Sequence, residues 1–116
     1  MSTEKGKERY VEIFFLKSGK KNYISRKEMP KKDFDSSKLK EEVCGYRFYS
    51  RKTKNGIPEG PKERVNKFIC INSSSISSKE ELMEKPGYSK LIKSMGNDYT
   101  HAIRFNKRIY LIDLRA

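Results

Sequence analysis

Tyr10-Val11-Glu12-Ile13-Phe14-Phe15-Leu16-Lys17 decides the fold class. The run is rich in β-branched and aromatic residues, and its apolar side chains fall on both parities: Tyr10, Phe14 and Leu16 on one, Val11, Ile13 and Phe15 on the other. Successive side chains of a strand point to opposite faces. A run that is apolar on both parities reads as a strand buried on both sides, the central strand of a sheet.

The neighbouring sequence supplies its partners. Ser18-Gly19-Lys20 is a turn signal, and Asn22-Tyr23-Ile24-Ser25 returns as a short strand to make a hairpin, before Pro30 interrupts regular structure. Residues 1–8 mix charges without a period and are expected to fray. Asp33 and Asp35 precede a stretch over 36–43 in which Leu39 and Val43 are four apart, the spacing of one face of a short helix.

A third strand is expected over 43–52, a loop over Asn55-Gly56-Ile57-Pro58-Glu59-Gly60-Pro61, and a fourth strand over 64–72. Ser78-Lys79-Glu80-Glu81 is a capping box, in which a hydroxyl and a carboxylate satisfy the free amides of a helix start. Pro86-Gly87 restarts that helix; Tyr88, Leu91, Ile92 and Met95 follow the spacing of one apolar face, and Gly96 suits its end. Residues 99–105 and 108–114 form a closing hairpin across Asn106-Lys107. The whole, residues 1–116, reads as one α+β domain: an antiparallel β-sheet of about five to six strands with one main helix packed on a face.

The chain carries 27 Lys and Arg against 15 Asp and Glu, a formal net charge of +12 in 116 residues. A surplus of that size favours polyanionic partners and fast, salt-sensitive association. It is concentrated in two zones. Residues 17–32 hold seven bases against Glu28, and residues 47–67 hold seven against Glu59 and Glu63.

In the second zone, alternation sends Tyr46 and Phe48 to one face and Arg47, Tyr49 and Arg51 to the other. A sheet face showing Arg, Tyr and Arg in line can clamp phosphates and stack a base. The candidate binding residues are therefore Arg47, Tyr49, Arg51 and Lys52, with Lys20, Lys21, Arg26 and Lys27 of the first zone adding phosphate contacts.

No enzyme signature accompanies the charge. His101 is the single histidine, and Cys44 and Cys70 lack the close pairing of a metal knuckle, so no metal and no cofactor are expected. Both thiols lie in apolar stretches and read as reduced, buried hydrophobes of a cytoplasmic protein. The charged N-terminus is unlike a signal peptide, and no apolar run reaches membrane-spanning length. The one catalytic alternative is a small metal-independent ribonuclease using His101 with Arg104 and a tyrosine.

Gly45-Tyr46-Arg47-Phe48-Tyr49-Ser50-Arg51 resembles a Tyr-Arg-Phe-aromatic-x-Arg element of small, largely uncharacterised proteins of phages and other mobile elements. Leu91-Ile92-Lys93-Ser94-Met95, Arg104-Phe105 and Ile112-Asp113 are similar to the end of such proteins, whereas Ser50 stands where they carry an acidic residue. The resemblance implies an inhibitor that binds a host nucleic-acid-processing or defence protein, as anti-CRISPR proteins do. That is the alternative to the leading expectation, a non-enzymatic protein that binds RNA or single-stranded DNA on a basic, aromatic-bearing sheet face.

Overall fold

The structure is a computed structural model that describes residues 6–16, 24–71 and 74–115. Two antiparallel sheets make up most of it, where one sheet was expected. The first has the order β2-β1-β3-β4, with β5 pairing β3 as well, and the second has the order β6-β7-β8. The strands are β1 (Lys7–Leu16), β2 (Ile24–Pro30), β3 (Val43–Lys54), β4 (Ile57–Pro58), β5 (Ile69–Cys70), β6 (Ser75–Ser78), β7 (His101–Phe105) and β8 (Arg108–Ile112).

β1 lies centrally, between β2 and β3, as its two apolar parities require. It begins at Lys7, so the fraying expected over 1–8 does not reach Lys7 or Glu8; Thr53 holds this end by donating from its amide and its hydroxyl to the Gly6 carbonyl. The register sets Tyr10 opposite Tyr49, Glu12 opposite Arg47 and Phe14 opposite Gly45, and then shifts by one residue so that Phe15 meets Val43. Such a bulge lets Cys44 turn into the core beside Phe14. Gly45 is obligatory at this point, because a Cβ there would lie 2.4 Å from the Ile69 carbonyl oxygen and 2.4 Å from the Phe68 ring.

The two faces of the first sheet are covered differently. On one, Phe14, Cys44 and Phe68 pack against Ile103, Phe105, Tyr110 and Ile112 of the second sheet. On the other, Val11, Ile13 and Val43 are covered by Phe34 and Leu39. The covering segment is not the short helix expected over 36–43. It makes two 3-10 turns, over Lys31–Asp33 and Ser36–Lys38, because Asp35 binds the Ser37 amide and hydroxyl and Leu39 is already extended.

Three further departures have local causes. Asn55 and Gly56, at φ 55° and 79°, make a tight hairpin turn into β4 in place of a loop. The expected fourth strand shrinks to Ile69–Cys70, and Arg64, where it was expected to begin, sits at φ 51°, outside the extended region. The serine cluster contributes β6, whose Ile76 faces Ile103.

The capping box forms as expected, with Ser78 and Glu81 starting α1 (Lys79–Met83), and α2 (Ser89–Met95) follows. The one main helix is thus two short ones, which place Leu82 and Met95 on Ala102, on the outer side of the second sheet. The closing hairpin turns at Asn106 and Lys107, as its sequence predicts.

Candidate nucleic-acid interface

Strand alternation places Arg47, Tyr49 and Arg51 on one face of β3, as expected, but that face is closed. Arg47 is 4% exposed and Tyr49 fully buried. The closure is electrostatic as well as steric. Arg47 donates from Nε to Glu12 Oε1 at 2.9 Å, from Nη1 to the Leu114 carbonyl at 2.5 Å and from Nη2 to the Arg115 carbonyl at 3.4 Å. Its guanidinium also lies 5.7 Å from the centre of the Phe14 ring.

Tyr49 donates to Glu28 Oε2 at 2.5 Å, and Arg51 binds both oxygens of the same carboxylate at 2.9 and 3.1 Å. Arg51 Nε is further held by the Gly60 carbonyl, while Lys62 bridges to Glu12 at 2.9 Å and lies over the Tyr49 ring. Burial first, then the Glu28 hydrogen bond, pushes the Tyr49 phenol well above the ordinary tyrosine value. Tyr49 and Arg51 thus bind the fold together instead of offering themselves to a partner, and Arg47 gives three of its five donors to the fold.

The remaining candidates divide. Arg26 shares the closed face, opposite Phe14, and is half-exposed 3.7 Å from Glu12. Lys27 is exposed and lies opposite Ile13, on the other face. Lys52 is exposed on that same other face, opposite Lys7. Lys20 and Lys21 lie outside the described residues.

The other face, open beyond the cover of Phe34 and Leu39, carries Tyr46 and Phe48, as the alternation predicts. Phe34, Tyr46 and Phe48 are half-buried and form a cluster with ring centres 4.9 to 5.7 Å apart. Lys31 Nζ lies 5.1 Å from the centre of the Phe48 ring. Beside it, Glu8, Arg9, Pro30, Lys31 and Lys32 frame a shallow concavity. Arg9 is oriented by Ser50 Oγ at 3.0 Å and Asn66 Oδ1 at 2.5 Å, neutral partners that leave its charge uncompensated. None of the ion pairs among the described residues involves Arg9, Lys27, Lys31, Lys32 or Lys52.

Phe34, Arg9, Lys31 and Lys32 were not singled out from the sequence. The available signal was Glu12 itself: a carboxylate between apolar neighbours in a central strand demands a buried cation.

His101, Arg104 and a tyrosine do not assemble into one site. His101 lines the inner side of β7, whereas Arg104, three residues on, faces outward. His101 Nδ1 lies 2.7 Å from Thr100 Oγ1, and burial lowers its pKa against the opposing pull of Glu80 and Glu81. Cys44 is buried and free, its thiol pushed up to about 12 by desolvation; Cys70 is also free. Among the described residues no group of His, Cys, Asp and Glu has a metal-holding arrangement, and no helix is long and apolar enough to cross a membrane. Comparison with protein-family models, with curated proteins and with solved structures finds no match.

Proposed function

We propose that this protein binds RNA or single-stranded DNA, without catalysis, on the open face of the first sheet. The observation that carries the proposal is the Phe34-Tyr46-Phe48 cluster flanked by Arg9, Lys31 and Lys32, cations that share their concavity with Glu8 but form no ion pair among the described residues. Aromatic rings accept any base by stacking, and lysine and arginine track the backbone phosphates. A duplex keeps its bases stacked on one another, so single strands are the ligands that fit. Lys27 and Lys52 lie on the same face and extend the basic track.

Fluorescence-anisotropy titration of labelled single- and double-stranded oligonucleotides tests this. Single strands should bind with little dependence on sequence. If about four phosphates are engaged, affinity should fall about fiftyfold between 50 and 200 mM salt. The double variant Lys31→Glu/Lys32→Glu should weaken binding at least tenfold. Unchanged binding by that variant, or no binding at the lower salt, would overturn the proposal and turn attention to a host protein as partner.

A further inference from the structure

A second cleft, of about 470 Å³, opens between the 66–68 segment beside β3 and the second sheet. Its polar lining is Arg47, Asn66, Lys67, Glu81 and His101, and its apolar lining includes Phe68 and Ile76. Its Arg47 wall is on the opposite side of the first sheet from the aromatic cluster, and Asn66, also in its lining, accepts from Arg9 of the open face.

Two features make the cleft a receptor for negative charge. Arg47 has five N–H donors, of which its Glu12, Leu114 and Arg115 bonds use three, leaving one on each terminal nitrogen. Arg47 also does not have the Glu12 carboxylate to itself, since Lys62 binds it at 2.9 Å and the half-exposed Arg26 lies 3.7 Å from it.

His101 adds a directed donor. Leu114 N donates to Thr100 Oγ1 at 2.9 Å, so the threonine proton is available to His101 Nδ1, 2.7 Å away. When Thr100 donates to Nδ1 the ring proton is on Nε2, and the neutral imidazole is then a hydrogen-bond donor at its free nitrogen. Lys67 is exposed at the rim. Glu81 uses Oε1 at its own helix start, accepting from the Ser78 amide and hydroxyl, and contributes an acceptor to the same wall.

We propose that this cleft binds a phosphate monoester of nucleotide size, with the phosphate on Arg47, Lys67 and His101, the sugar hydroxyls toward Glu81 and the base against Phe68 and Ile76. The volume lies within the range of small-ligand sites. A free nucleotide and the phosphorylated end of a strand share this chemistry.

His101 is the chain's single histidine, so its ring resonances report the site without ambiguity. Its ¹H–¹³C and ¹⁵N signals would be followed on the intact chain during titration with AMP, with adenosine, and with a short oligonucleotide carrying either a 5′-phosphate or a 5′-hydroxyl. AMP should shift the ring signals, adenosine should leave them in place, and Lys67→Ala should weaken the AMP response at least fivefold while its amide spectrum stays native. A response to AMP identifies a free nucleotide as sufficient, and one to the 5′-phosphorylated strand alone identifies a strand end. The Lys31→Glu/Lys32→Glu variant should keep the AMP response, which separates this site from the open face. Ring signals unmoved by either phosphorylated probe, adenosine acting as well as AMP, or Lys67→Ala binding AMP normally would each overturn the proposal.

Discussion

Glu12 and Arg47 face each other across the central pair of strands, joined by a 2.9 Å bond between side chains that are 5% and 4% exposed. The pair is the hub of the closed face, because Glu12 also takes Lys62 and Arg47 also holds the last carbonyls of the chain's described part. Breaking a buried pair by removing one member leaves an uncompensated charge in low dielectric.

Glu12→Gln should therefore destabilise the fold by about 3–5 kcal/mol, read by urea denaturation. Replacing both residues, as Glu12→Met with Arg47→Met, should recover a large part of that loss, since apolar substitutes of similar size remove the stranded charge. Equal instability of the single and double variants would show that packing, not charge, dominates at this site.

Alkaline pH should weaken the fold. Cys44 has its thiol raised from 9.0 to about 12 by burial, and Tyr49 and Tyr10 are raised by burial and then by neighbouring glutamates. In each, the folded state holds a proton that the unfolded chain releases more easily. The Cys44 contribution is complete below pH 9.0 and is lost as pH rises toward about 12; the tyrosine contributions decline above their ordinary value of 10.0. Urea midpoints measured from pH 8 to 11 should fall steadily, and Cys44→Ala should flatten the part of that fall that begins near pH 9.

Gly45→Ala should destabilise the fold by about 1–3 kcal/mol or more, because the added carbon meets the Ile69 backbone, which has no rotamer to escape through. The same substitution at Gly56 meets no atom within 4 Å, yet Gly56 sits at φ 79° and should cost about 1–2 kcal/mol through backbone strain alone. Thermal melts of the two variants separate a steric cost from a conformational one.

The central strand, the capping box at Ser78 and the Asn106-Lys107 hairpin were legible because each depends on neighbours in sequence. The alternation of β3 was legible for the same reason, and Arg47, Tyr49 and Arg51 do share a face. Whether that face is open was not legible. Its cover comes from Gly60 and Lys62, from Glu12, 35 residues before Arg47, and from Leu114, 67 residues after it. Basic residues in a strand read as a surface until their carboxylates are found, and the register that brings Glu12 to Arg47 arises only when β1 and β3 pair. Conversely, Phe34 is separated from Tyr46 and Phe48 by a segment with no regular period, so nothing local announces the aromatic cluster.

The most direct test of binding on the open face is an amide ¹H–¹⁵N titration with an unstructured single-stranded oligonucleotide. Perturbations should concentrate at Arg9, Lys27, Lys31, Lys32, Phe34, Tyr46, Phe48 and Lys52, and leave Arg51 and Lys62 near their starting positions. Perturbations centred on Arg51, Gly60 and Lys62, with Lys31 and Phe48 unmoved, would contradict the account and return the binding site to the closed face.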